Sequence, residues 1–171
     1  MIVIENKFLK DQFLLAVPCE DHIVGLDHLL NDPVIVAWLG GPRSREDIKK
    51  DVLASAEHWS KFGFGQWVVL DRKTSEIVAR GGLRQKEVLS HPETELFYAV
   101  LPSHQRQGIA TALVAASLDH AFRMTGLSSV IAFTLETNRA SLGVLGKHGF
   151  VFETKFEHEN LSHLLFRRIP N

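Results

Sequence analysis

The residues Tyr98-Ala99-Val100-Leu101-Pro102-Ser103-His104-Gln105-Arg106-Gln107-Gly108-Ile109-Ala110-Thr111 hold the densest chemistry in this chain. They read as an apolar strand stopped by proline, a polar loop and the opening of a helix. A helix start leaves N–H groups unpaired and carries the positive end of the helix dipole, so such a loop can hold phosphate oxygens on main-chain donors. Gly108 lets an anion approach the backbone, Ala110 keeps the first turn small and Arg106 adds charge. A strand-to-helix joint of this composition also occurs without any ligand. Rival phosphate motifs are absent: there is no glycine-rich loop ending in Gly-Lys-Ser/Thr, and no G-x-G-x-x-G after a strand.

Other reactive types are scattered. The nine histidines form no cage with Cys, Asp or Glu, so no metal is expected. Cys19 is the only cysteine, which excludes an internal disulfide; it reads as a reactive thiol or, with no motif beside it, as an idle packed one. Trp38, Trp59 and Trp67 read either as core or as walls of a ligand pocket.

The elements that must position the loop follow from apolar spacing. Phe13 to Val17 is a first strand, and Glu20 to Leu30 a helix with Ile23, Leu26, Leu29 and Leu30 on one face. Ser44 with Asp47 resembles a capping box for a second helix through Ile48, Val52, Ala56 and Trp59, ending near Gly63. Strands Gln66 to Leu70 and Ile77 to Leu83 flank the polar pentad Asp71 to Ser75, and Glu95 to Leu101 is a further strand. Alternation puts Glu95, Phe97 and Ala99 on one of its faces and Leu96, Tyr98 and Val100 on the other. Ile109 to Arg123 suits a helix, Val130 to Leu135 a buried strand, and Asn138 an N-cap for a helix that stops at Gly149. Phe150 to Glu157 and Leu161 to Ile169 pair around a His-Glu-Asn turn. The predicted order, βααβββαβαββ, is an α+β arrangement on a mixed sheet. No repeat or linker divides it, so residues 1–171 are expected to form one domain.

Composition excludes several classes. Hydrophobic residues make up 45% and charged residues 23%, enough apolar surface for a core and too little charge for a disordered chain. Nineteen basic residues nearly balance twenty acidic ones, so no net field draws the chain to nucleic acid or an anionic membrane. The first residues lack a signal-peptide pattern, and no apolar run approaches the ~20 residues of a spanning helix. A soluble cytoplasmic protein is expected.

Val100, Pro102, Gln105, Gly108 and Ala110 meet the pattern V-x-P-x-x-[QR]-x-x-G-x-[GA] without a gap. Asn138-Arg139-Ala140-Ser141 and Lys147-His148-Gly149-Phe150 match N-x-x-[AS] and a Gly-Phe ending; Trp38-Leu39-Gly40-Gly41 and Gly63-Phe64-Gly65-Gln66-Trp67 add softer likeness upstream. On these residues the chain resembles the GNAT superfamily of N-acetyltransferases, in its RimJ/RimL-like branch. The resemblance implies a GNAT-like mixed, mainly antiparallel sheet with a central splayed strand pair and flanking helices. It implies acetyl-CoA as co-substrate, no metal, and a primary amine as acceptor, either a peptide N-terminus or a small molecule. It leaves open which amine that is, and whether two copies pair as a homodimer.

Carried over residue by residue, the resemblance puts the pyrophosphate on Gln105, Arg106, Gln107, Gly108, Ile109, Ala110 and Thr111, and the pantetheine arm along Tyr98, Ala99 and Val100. The Val100 amide would hold the thioester oxygen as charge develops there. Asn138 would contact the arm, a role compatible with capping a helix. Glu95 is the candidate base, acting through water, or else a solvated strand-edge carboxylate. Many relatives carry a Tyr seven residues after the Asn as the acid for the departing thiolate, whereas here that position is Leu145. In the branch a Ser three residues after the Asn can serve instead, and Ser141 stands there, with a backbone-bonded hydroxyl as its plainer reading. A CoA-binding module without turnover is the alternative. A nucleotide-binding regulator is disfavoured by the missing Walker lysine.

Overall fold

The computed structural model describes Val3–Ile4 and residues 7–170. In chain order the elements are β1 (Val3–Ile4), β2 (Phe13–Ala16), α1 (Ile23–Leu30), α2 (Pro33–Leu39), α3 (Arg45–Phe62), β3 (Gln66–Asp71), β4 (Ile77–Val88), β5 (His91–Val100), α4 (Ile109–Asp119), β6 (Val130–Leu135), α5 (Arg139–Lys147), β7 (Val151–His158) and β8 (Leu161–Arg168). The strands form one sheet in the order β1-β2-β3-β4-β5-β6-β8-β7. Every neighbouring pair is antiparallel except β5 and β6. This is the expected α+β fold on a mixed, mainly antiparallel sheet. No helix among the described residues is long and apolar enough to cross a membrane.

Helices cover both faces, which is why the central strands read as continuous apolar runs rather than alternating ones. Val68 and Leu70 of β3 pack with Leu26, Leu29 and Leu30 of α1 and Ile48 and Val52 of α3. Trp67 and Val69 turn the other way, onto Ile109, Leu113 and Ala116 of α4. Val114 and Leu118 of α4 and Leu145 of α5 then seat on Leu83, Leu96, Val130 and Ala132. Helix α3 starts where Ser44 Oγ accepts the Asp47 N–H at 3.1 Å and stops at Gly63, whose φ of +71° suits a left-handed cap.

Four features differ from the sequence expectation, the first being the additional short strand β1 ahead of Phe13. Helix α2 is additional: Asp32 caps the Val34 and Ile35 N–H groups, Pro33 opens the first turn and Gly40 ends it in the left-handed region. The run Val34 to Leu39 has no polar alternation, so no helical period was visible. Strands β4 and β5 continue past Leu83 and begin before Glu95, joined at Leu89 and Ser90, both with positive φ (52° and 63°). A tight hairpin of this kind usually announces itself with Asn or Gly. Along the extension, Arg84 faces Glu95 and Lys86 faces Glu93, so opposite charges lie across the ladder. Helix α4, expected to reach Arg123, ends at Asp119 and continues through His120–Met124 as a π-helical turn.

The feature that matters most for a ligand lies between β5 and β6. These parallel neighbours share one facing pair, Glu95 and Ile131. Beyond it the two strands share no further rung among the described residues, which leaves the end of β5 with an unpaired edge along the cleft between them.

Candidate active site

Ladder geometry decides which way the end of β5 presents its main chain. The Leu101 N–H donates to the Val78 carbonyl at 2.9 Å, and Val100 lies opposite Ala79. Bonded and non-bonded pairs alternate in an antiparallel ladder, so Phe97 and Ala99 direct their N–H and C=O groups to β4. Tyr98 and Val100 direct theirs to the cleft. Gln105 agrees with this assignment, because its Nε2 donates to the Val100 carbonyl at 3.2 Å. The strand thus offers the cleft two N–H groups, at Tyr98 and Val100.

After Leu101 the chain makes a single 3-10 turn, Pro102–His104, and reverses through Arg106 (φ +61°) and Gly108 (φ +88°). Gly108 is the N-cap of α4, and no side chain among the described residues caps this helix. The first bond into the cap residue runs from the Ala112 N–H to the Gly108 carbonyl, which leaves the N–H groups ahead of it without intrahelical acceptors. A Cβ built on Gly108 would meet no atom of the described residues within 4 Å. An uncapped helix start with open space before it fits a phosphate-bearing ligand. The structure divides the expected phosphate residues into two groups. Ile109 is core, so it, Ala110 and Thr111 offer main chain. Gln105 and Gln107 brace the loop: Gln107 Nε2 donates to the Ser103 carbonyl at 3.3 Å, and its Oε1 accepts from Gln12 Nε2 at 3.5 Å.

Across the cleft, Asn138 Oδ1 accepts the Ser141 N–H at 3.1 Å and caps α5; its amide nitrogen makes no hydrogen bond among the described residues. Ser141 Oγ lies 2.9 Å from the Tyr98 hydroxyl. Tyr98 reaches it because Gly81 stands opposite, where a Cβ would meet Tyr98 Cβ at 2.8 Å. Burial pushes the Tyr98 phenol above its usual range, and the hydrogen bond to Ser141 partly offsets this. The phenol therefore keeps its proton at neutral pH. Leu145, where many relatives carry a tyrosine, is 1% exposed and packs in the core. Tyr98 is the only tyrosine in the chain. Sequence reasoning gave it a main-chain role alone, since no spacing relates positions 98 and 141.

The opposite face of β5 carries Glu95 and Phe97, each met by arginines of β4. Glu95 is 3% exposed and accepts from Arg84 Nε at 2.7 Å and Nη2 at 3.1 Å, with Lys86 Nζ 3.9 Å away. It lies five residues before Val100, roughly 16 Å of strand. Both its oxygens are engaged, and taking a proton would cost it an Arg84 bond. The geometry favours an anchoring role for Glu95 at the root of the cleft. Phe97 lies beneath two guanidinium groups, with Arg84 Cζ 4.6 Å and Arg80 Cζ 5.5 Å from its ring centre. Trp67 is 2% exposed and packs against Trp59 at 5.6 Å, while Trp59 Nε1 donates to the Gln66 carbonyl at 2.9 Å. Trp67 is core, Trp59 packs half-buried against it, and Trp38 stands exposed on α2.

Comparison with known proteins adds to this geometry. Residues 12–151 match the family model described as Acetyltransferase (GNAT) domain. A stretch of 88 residues, 50% of this chain, is 32% identical to the uncharacterized N-acetyltransferase YoaA of Bacillus subtilis; the match spans 48% of that relative. Among solved structures, the ribosomal-protein-S5-alanine acetyltransferase of Vibrio fischeri superposes with a TM-score of 0.81 at 18% identity, covering 99% of this chain and 97% of that one. RimL, a ribosomal L7/L12 alpha-N-protein acetyltransferase in complex with coenzyme A, superposes with a TM-score of 0.78 at 18% identity, covering 98% of each chain. At these identities the structural likeness establishes the fold.

Proposed function

Since this chain belongs to the GNAT acetyltransferase family, we propose that it transfers an acetyl group from acetyl-CoA to a primary amine by direct attack on the thioester. The acceptor is a peptide N-terminus or a small molecule. One observation carries the reading: the uncapped start of α4 behind Gly108 adjoins a strand edge whose Tyr98 and Val100 N–H groups face an open cleft. The main-chain donors of Gly108, Ile109, Ala110 and Thr111 would hold the pyrophosphate, with Arg106 adding charge. Tyr98, Ala99 and Val100 would lie along the pantetheine arm, with the free Asn138 amide on its other side.

In this reading the bound thioester supplies the electrophilic carbon. The Val100 N–H points at its oxygen and stabilises charge that grows only as the amine attacks, which is the condition for lowering the barrier. Ser141, linked to the protonated Tyr98 hydroxyl, donates a proton to the departing sulfur. A thiol titrates near ~8.5, so the thiolate leaves tolerably unaided and this acid contributes modestly. The loss of the amine proton is left to water ordered in the cleft.

The reading is tested by following free thiol release from acetyl-CoA with N-terminal peptides, polyamines, amino acids and aminoglycosides. Release that depends on the amine is expected. Coenzyme A binding without any amine-dependent release would leave a non-catalytic module of the same fold.

A further inference from the structure

The sheet face turned away from α4 holds a buried cation of β4 with too few partners. Arg80 is 7% exposed, yet its ion pair is a long one, 3.9 Å to the exposed Asp51 of α3. Among the described residues its guanidinium makes no hydrogen bond. Burial pushes its pKa down to about 10, so it remains charged at neutral pH. A buried charge is tolerated when it is paired and hydrogen-bonded, and five N–H donors without an acceptor are an incomplete arrangement.

A second group points the same way. Ser55, on α3, is buried with its Oγ lacking any hydrogen-bond partner among the described residues. Arg80 and Ser55 line one cavity of about 150 Å³, together with Asp51, His58, Gln66 and Phe97. Two of its other polar walls, Arg84 and His58, are committed, while the Gln66 amide and the Asp51 carboxylate also line it. Arg84 holds Glu95, and His58 uses Nδ1 at the Phe64 carbonyl (2.7 Å) and Nε2 at the Gln85 N–H (3.0 Å). The cavity therefore offers a planar cationic fork and a hydroxyl.

We propose that this cavity is the acceptor's specificity pocket and takes a carboxylate carried by the acceptor molecule, held by the Arg80 fork and the Ser55 hydroxyl. The proposal rests on the transfer reading above. A guanidinium matches a carboxylate in two parallel hydrogen bonds, and the Asp51 carboxylate nearby disfavours a doubly charged group. The volume suits a short acidic side chain, being about five waters' worth at ~30 Å³ each. Arg80 faces Ala99 in register, and Phe97 precedes Val100 by three residues, roughly 10 Å of strand. Amine and carboxylate thus lie several bonds apart. A peptide with Asp or Glu beside its N-terminus meets that spacing better than a free α-amino acid does.

The test measures thiol release with peptide pairs that differ only by Glu or Gln at the second position, alongside free glutamate and glutamine. Wild type should use the Glu peptide with a kcat/KM at least ~10-fold above its Gln partner. In Arg80→Gln that ratio should fall to near one, whereas Arg80→Lys, which keeps the charge without the fork, and Ser55→Ala should retain part of it. Each ratio is read within one variant, so partial unfolding cancels. An Arg80-dependent preference confined to free glutamate supports the same carboxylate pocket with a small-molecule source. A wild-type ratio near one, or a preference surviving in Arg80→Gln, overturns the proposal. Should no amine promote release, the transfer reading falls, and thermal stabilisation by glutarate but not glutaramide, lost in Arg80→Gln, would still support the pocket. Absence of that stabilisation overturns it too.

Discussion

On the α4 side and at the end of β5, the polar groups left unpaired are main-chain N–H groups, at Tyr98, Val100 and the start of α4. On the α3 side they are side chains, Ser55 and Arg80, from a helix and a neighbouring strand. Main-chain donors are aimed by helix and strand geometry, so their demands fall on consecutive residues: an end to the strand, a left-handed turn, no Cβ at the cap. Side-chain donors are aimed by tertiary packing, and any spacing will do. The first kind of site tolerates little change and serves one ligand. The second can change its ligand by exchanging one or two residues.

The largest effect is therefore expected at Gly108. Gly108→Val places a branched side chain before the helix start at φ +88°, and should lower coenzyme A affinity by at least ~100-fold in calorimetry, with about 1–3 kcal/mol lost from stability through backbone strain. A folded variant with unchanged affinity would falsify the phosphate-loop assignment and erase the contrast between the faces.

The hydroxyl pair comes next. Tyr98→Phe and Ser141→Ala should each lower kcat by no more than ~100-fold, with little change in acetyl-CoA affinity, and the double variant should be no worse than the weaker single one, because the pair acts as a unit. Their effect should be the same for every acceptor, whereas changes at Arg80 on the α3 face should alter the choice among acceptors. Additive losses would mean that the two hydroxyls serve separate steps.

Glu95→Gln should act on the fold. Replacing a buried carboxylate that holds Arg84 twice should cost about 1–3 kcal/mol in denaturant unfolding, while the pH dependence of turnover keeps its shape. A shifted acidic limb would instead make Glu95 the base.

The smallest effect lies outside both faces. His22 Nδ1 accepts the Cys19 N–H at 3.1 Å before α1, and burial, against the pull of Asp21, lowers its pKa below the ordinary 6.5. Between the lowered value and 6.5 the unfolded chain binds a proton that the folded chain does not, so stability is full above that window and falls as pH drops through it. Melting temperature should decline on acidification, and less steeply in His22→Gln; parallel slopes would discard the assignment.

Much of this was legible in residue order. The loop 105–111, the α5 cap at Asn138 and the alternation along β5 follow from local rules, and the structure places them accordingly. Helix α2 was missed although Asp32-Pro33 and Gly40 bracket it, because its apolar run shows no period. The β4–β5 extension was missed because Leu89 and Ser90 are poor advertisements for a left-handed turn. Pairings such as Tyr98 with Ser141, or Arg80 with Ser55, exist only once strands and helices have packed, and no reading of spacing could supply them.

The lone Glu95–Ile131 pairing has a bearing on the protein's persistence in a cell. The sheet is in effect two half-sheets joined at one rung and held from one side by α4 and α5. A co-substrate lying along Tyr98 to Val100 would serve as the missing strand. Its binding would add RT ln(1 + [L]/Kd) to stability, damping the opening of the two halves that exposes the chain to proteases. The lifetime of the folded protein would then rise and fall with the supply of the very molecule it is proposed to consume.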